Sequence, residues 1–225
     1  MLKMKNITKL FLYLNLCLTL LACSKISPKG EIEVKDVTVE NFTKLNLKGD
    51  FKVFFAKGNQ NLVSVETYPN VYKNLDIEVE NGILTIEENR KTDQVDFYNI
   101  TIFGKNDLNE VSLSDKVEMN VSGQVKTPEF SLHLKGNSKF MGAVIAPKSK
   151  IEMAEKSNAN ILGETKNLNL KLADSASIMA PYFYVENLEI LSKNGASAGL
   201  NIDQEMKGTL ENTSKLIFYG EPLNK

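Results

Sequence analysis

Beyond about residue 40, apolar and polar residues alternate through nearly the whole chain, and long runs at helical spacing are missing. Leu45-Asn46-Leu47, Val63-Ser64-Val65, Ile77-Glu78-Val79, Phe130-Ser131-Leu132-His133-Leu134 and Leu168-Asn169-Leu170-Lys171-Leu172 all have period two. In a strand that period sends every second side chain to the same face, so each segment is expected to bury one side. Asn81-Gly82 separates two such runs, Ile77–Glu80 and Ile83–Ile86. A type I′ hairpin is expected there, because that turn needs positive φ at both central residues.

From about Lys105 a longer period emerges: a strand, a small polar corner, then another strand. Leu132-His133-Leu134-Lys135-Gly136-Asn137-Ser138-Lys139-Phe140 is the clearest copy. Later corners are expected at Ser157-Asn158-Ala159, Asp174-Ser175-Ala176-Ser177, Asn194-Gly195-Ala196-Ser197 and Asn212-Thr213-Ser214. A repeat of about 20 residues in β-patterned sequence fits a parallel solenoid, in which each coil returns the chain one strand spacing, ~4.8 Å, further along. A meander of antiparallel hairpins is the alternative. Leu132-x-Leu134-x-x-Asn137 matches half of a leucine-rich repeat, but later units lack it. No six-residue apolar-Gly pattern supports a left-handed hexapeptide helix. The expected fold is therefore all-β: a right-handed parallel β-helix over residues 105–225 ending in a cap, preceded by a hairpin-containing β region over residues 36–104.

The first residues follow a different pattern. Lys3, Lys5 and Lys9 precede the apolar stretch Leu10–Leu21, which has signal-peptide length and is too short to span a bilayer. Leu20-Leu21-Ala22-Cys23 reads as a lipobox. Residues 1–22 are then a lipoprotein signal and Cys23 the lipidated first residue, with residues 23–35, polar and containing Pro28 and Gly30, as a flexible tether. A cleaved secretory signal with an incidental cysteine is the other reading. Ser24 in place of Asp resembles the outer-membrane sorting pattern of other lipoproteins. Lys25-Ile26-Ser27 lacks the acidic cluster of surface-export signals, so the periplasmic side of the outer membrane is expected.

Composition then removes most chemistry. The formal net charge of -1, with lysines beside acids throughout, gives no basic stripe for nucleic acid. Cys17 lies in the signal and Cys23 carries the lipid, which leaves no thiol for a disulfide, a redox pair or a zinc site. The single histidine, His133, lies between Leu132 and Leu134 and should project outward; the single arginine is Arg90. Asp115 and Asp174 fall at corners, where Asp bonds its own backbone. Asp174-Ser175 and Asp203 lack the Asp-rich repeat of a calcium site. There is no Gly-x-Ser-x-Gly elbow and no Ser-x-x-Lys set. No catalytic residue, metal or cofactor is expected.

Binding remains, and its candidate is Pro181-Tyr182-Phe183-Tyr184-Val185. With Phe183 in the core, Tyr182 and Tyr184 are exposed together, where a sugar or peptide could stack on them; the alternative is that they pack beside Leu162 or Leu191. With its open ends blocked by the hairpins before residue 105 and by Glu221-Pro222, the protein is expected to be a monomer.

Asn41–Val53, Val79–Ile86, and Leu210–Pro222 closing on Tyr219-Gly220-Glu221-Pro222 resemble, in this order, the head GIN domain lipoproteins, grouped as auto-transporter adhesins. The resemblance covers nearly the whole mature chain. It implies a right-handed parallel β-helix and a role in adhesion, and it carries over no catalytic residues; the exposed tyrosines make a glycan or an envelope protein the expected partner. A carbohydrate-active enzyme, lyase or hydrolase, on the same scaffold is the alternative function. The corners here, Gly-Asn-Ser, Ser-Asn-Ala and Asp-Ser-Ala-Ser, depart from the Gly-Ser-Gly corners usual in that family.

Overall fold

The computed structural model describes residues 25–220. The signal segment, Cys23, Glu221 and Pro222 lie outside the described residues. The regular structure of the described chain is nearly all β, 65% strand and 2% helix, and forms a β-solenoid of about five turns.

Sixteen strands and one short helix follow in chain order: β1 (Glu33–Thr38), β2 (Lys44–Gly49), β3 (Lys52–Lys57), β4 (Leu62–Thr67), α1 (Pro69–Tyr72), β5 (Leu75–Glu80), β6 (Ile83–Glu88), β7 (Asn99–Gly104), β8 (Glu110–Asp115), β9 (Glu118–Lys126), β10 (Glu129–Leu134), β11 (Lys139–Ile145), β12 (Lys148–Met153), β13 (Asn158–Leu172), β14 (Ser177–Ser192), β15 (Ser197–Leu210) and β16 (Lys215–Phe218). They stack as two facing sheets. The first runs β5-β6-β2-β8-β10-β12 and continues through the C-terminal halves of β13, β14 and β15. The second runs β1-β4-β7-β3-β9-β11, then the N-terminal halves of β13, β14 and β15, then β16. From β13 on, one long strand bends from the second sheet into the first. Only the pairs β1/β4, β4/β7 and β5/β6 are antiparallel, all at the N-terminal end.

The alternation read from sequence sets the core. Leu45, Val111, Leu132, Ile151, Leu170 and Ile190 share a register on the first sheet and are all buried. Val53, Met119 and Phe140 do the same on the second. Outside, ion pairs join residues in the same register: Lys44 to Glu110 at 3.2 Å, Lys148 to Glu129 at 2.9 Å, and Lys139 to Glu118 at 2.6 Å. Each exposed pair contributes only ~0.2–1 kcal/mol, but a slip of one strand past its neighbour separates the partners, so the ladders help specify register.

One edge of the solenoid is a column of tight corners. Asp115, Gly136, Glu155, Asp174, Asn194 and Asn212 all have positive φ. Two residues further on, Val117, Ser138, Ser157, Ala176, Ala196 and Ser214 each donate a backbone N–H to the carbonyl three residues back, and all but Ser214 are fully buried. Small side chains recur there because that position points into the narrow end of the core. Side-chain amides also climb this edge: Asn212 Nδ2 donates to Asn194 Oδ1 at 2.9 Å and Asn194 Nδ2 to Asp174 Oδ1 at 3.4 Å.

Three expectations change. The corner expected at Ser157-Asn158-Ala159 is centred on Glu155-Lys156, and Asn158 already begins β13. Asn tolerates the left-handed conformation best after Gly, yet here Glu155 adopts it, at φ 63°. The boundary between residues 104 and 105 is not a structural break, since β2 and β3 pair in parallel with β8 and β9 and so form a coil of the same stack. That coil sits between β6/β7 and β8/β9, out of chain order, which hides it from a search for consecutive repeats. The tether expected over residues 23–35 is pinned from Lys25 onward. Ile26 is buried and bridges Thr92, donating to Lys91 O and accepting from Asp93 N, both at 2.9 Å. Lys25 pairs with Asp93 at 3.1 Å, Asn70 holds Ser27 O and Lys29 N, and β1 already starts at Glu33.

Candidate functional site

The outer surfaces of the two sheets differ in chemistry. On the first sheet β10, β12 and β13 present Glu129, Ser131, His133, Lys148, Lys150, Glu152, Asn167, Asn169 and Lys171. A broad groove of about 670 Å³ runs across this charged surface. His133 projects outward, its Nδ1 3.3 Å from Glu152 Oε2. Glu152 is the hub: Lys150 lies 3.1 Å and Lys171 3.4 Å from its Oε1. The Lys150 ammonium, then Lys171 and His133, hold the Glu152 carboxyl below its ordinary value.

The second sheet is different toward its C-terminal end. Its outward positions from β13 to β15 are Asn158, Asn160, Leu162 and Glu164, then Ser177, Met179, Tyr182 and Tyr184, then Ser197, Gly199 and Asn201. Only Glu164 is charged. Phe183 and Val185 are fully buried while Tyr182 is 65% and Tyr184 55% exposed, as the alternation requires. Leu162 is on the neighbouring strand of the same surface; Leu191 is on the other sheet and cannot cover the tyrosines. Met179 and Tyr219 close over Gly199, where an added Cβ would meet both at 3.1 Å. Met141 and Ile217 extend the same apolar surface.

At the edge where the chain turns from the second sheet into the first, a cleft of about 390 Å³ opens. Tyr184 stands in it beside Glu164, its register partner on β13, with Asn201 its partner on β15. Buried Ala146, Thr165 and Val185 form the floor, and Lys166, Glu186 and Asp203 complete the rim. Sequence reasoning found Tyr184 but missed Glu164, which meets it only by stacking 20 residues away, and Glu186, two residues further along the same strand, which alternation alone does not assign to a cleft. Asp203 belongs to this cleft while Asp174 lies at the opposite corner edge, so the two do not share a site. Among the described residues no cluster of His, Cys, Asp and Glu has the arrangement of a metal site.

A further polar cluster lies at the corner of the first coils. Glu88 accepts from Thr92 Oγ1 at 3.0 Å and from Asp50 N at 3.2 Å, yet burial outweighs these bonds and pushes its carboxyl up. Buried Tyr98 makes no hydrogen bond of normal length, and burial followed by the Glu88 carboxylate raises its hydroxyl strongly.

A solenoid with one densely charged flank and one flank that is aromatic and sparsely charged toward its C-terminal end defines a surface-presenting β-helix protein. The matching family model, described as "Putative auto-transporter adhesin, head GIN domain", covers residues 41–222, and the chain belongs to that family. Solved structures share the fold at low sequence identity. One described as a putative adhesin, from Bacteroides fragilis NCTC 9343, has a TM-score of 0.72 at 15% identity, covering 89% of this chain and 100% of that one. One from Parabacteroides merdae ATCC 43184, also described as a putative adhesin, has a TM-score of 0.60 at 16% identity, covering 90% and 100%. A third, described as a putative lipid binding protein, from Parabacteroides distasonis ATCC 8503, has a TM-score of 0.62 at 18% identity, covering 90% and 99%. No curated protein matches the sequence.

Proposed function

We propose that this chain is a non-enzymatic cell-envelope lipoprotein, anchored through acylated Cys23 on the periplasmic side of the outer membrane, whose solenoid offers a surface for adhesion to a glycan or an envelope protein. The observation that carries the adhesive reading is the aromatic flank, where Met179, Tyr182, Tyr184, Ile217 and Tyr219 stay exposed on a sheet that buries every second residue. Contiguous exposed apolar surface marks interaction sites. Its strands are already ordered, so a partner bound there would lose little backbone entropy from this side. Family membership supports the same reading. Binding of the purified lipoprotein to isolated envelope fractions, peptidoglycan and outer membranes, should fall when Tyr182 and Tyr184 are changed to alanine together, with thermal stability unchanged; unaltered binding would remove the flank from the account. Cys23→Ser should release the protein from the membrane fraction, and proteolysis of intact cells should leave the wild type uncut until lysis.

A second reading, a carbohydrate-active enzyme, draws on the cleft at Tyr184, where Glu164, Glu186 and Asp203 surround Lys166. Paired carboxylates are the equipment of glycoside hydrolysis. Release of reducing ends from any polysaccharide by purified protein would favour this reading over adhesion alone.

A further inference from the structure

The cleft at Tyr184 has a chemistry that narrows what it accepts. Its volume of about 390 Å³ falls within the range of small-ligand clefts, ~300–1,000 Å³. A broad aromatic face stands on one side and hydrogen-bonding groups surround it, over a floor of buried Thr165 and Val185. An aromatic ring offers a flat apolar plane, whereas carboxylates only accept hydrogen bonds and make short, charge-assisted ones with hydroxyl donors. The complementary ligand has an apolar C–H face and a rim of hydroxyl groups.

Charge and backbone pairing remove the main competitors. Glu164, Glu186 and Asp203 outnumber Lys166, so an anionic sugar such as a uronate or a sulfated residue would enter against like charge. A peptide added as an extra strand needs an unpaired edge, but β14 at Tyr184 is paired on both sides, to Glu164 of β13 and Asn201 of β15.

We propose that this cleft is a subsite for a neutral pyranose of a glycan chain, stacked on Tyr184 with its hydroxyls donating to Glu164, Glu186 and Asp203. Tyr182, two residues earlier on the same exposed surface, is the platform for the adjoining sugar. This assignment rests on the adhesion reading above and names its ligand class.

The test uses the full-length lipoprotein in detergent micelles on an array of neutral, uronate-containing and sulfated glycans. Neutral glycans should bind preferentially. Tyr184→Ala should weaken them by on the order of tenfold, the scale of a lost stacking contact, while Tyr184→Phe retains most of the affinity. The chain has no tryptophan, so Tyr184→Trp supplies a single reporter whose emission should change on adding a neutral glycan that binds. Preference for uronate or sulfated glycans would overturn the cleft assignment, as would neutral-glycan binding that survives Tyr184→Ala. Failure of every glycan to bind, with binding to isolated envelope fractions intact, would also overturn it and leave the adhesion reading standing. Failure to bind any envelope fraction would defeat the underlying reading instead.

Discussion

Gly136 lies against the backbone of Asp115 one coil earlier: a Cβ on Gly136 would come 2.5 Å from the Asp115 carbonyl oxygen and 3.0 Å from its Cα. Its φ of 73° is also one that a side chain resists. The adjacent Asn137 N–H donates to that same carbonyl at 2.6 Å, so moving the corner away breaks a bond between coils. Gly136→Ala should therefore cost more than the ~1–2 kcal/mol of the left-handed conformation alone. Gly82→Ala is the control, since nothing lies within 4 Å of its added Cβ. Its loss should stay near ~1 kcal/mol in urea unfolding.

Ser192 occupies an inward position in the ladder with Leu172, and its buried hydroxyl reaches no hydrogen-bond partner. An unmatched buried polar group carries a desolvation penalty of ~1–3 kcal/mol. Ser192→Ala should raise the unfolding midpoint in denaturant, by a free energy of the order of 1 kcal/mol. A lower midpoint would show that the hydroxyl makes a bond after all.

Phe183 and Tyr184 are adjacent in sequence and opposite in consequence. Phe183→Ala should destabilise by about 3–5 kcal/mol, because it empties a fully buried site. Tyr184→Ala should change stability by less than about 0.5 kcal/mol. Thermal melts of the two variants side by side test whether the alternation assigns each residue to its face.

Two glutamates should give stability opposite dependences on pH. Glu152 is held down by Lys150, Lys171 and His133, so its contribution is present above the unfolded value of ~4.3 and disappears as pH falls through the lower folded value. The site is a third exposed, which keeps the effect to a few tenths of a kcal/mol. Glu88 is pushed up by burial, so the folded state holds its proton more tightly and stability declines as pH rises from ~4.3 through the higher folded value. Subtracting the curves of Glu152→Gln and Glu88→Gln from that of the wild type should give differences of opposite slope in acid.

The sequence shows the fold wherever neighbours in space are also regular neighbours in the chain. Leu132, Ile151, Leu170 and Ile190 are legible as a ladder because each coil adds about 20 residues. The turn at Asn81-Gly82, with φ of 52° and 75°, is legible because two adjacent residues determine it. Glu155 was not, since a glutamate gives no local signal for a left-handed corner and takes one only because the coils above and below require it. The coil of β2 and β3 escaped for a topological reason, being inserted between strands that follow it in the chain. The cleft was half visible: Tyr184 announces itself by alternation with buried Phe183, whereas Glu164 and Asp203 join it only through strand register and the corner.

Ile26 is already built into the body, bridging Thr92 and hydrogen-bonded to Lys91 and Asp93. Only three residue steps separate it from Cys23, and even fully extended they reach no more than about 11 Å. Acylation of Cys23, as proposed above, would therefore make the solenoid a post bolted to the floor and not a float on a line. A partner would then have to come within one short rod's height of the bilayer or already belong to it.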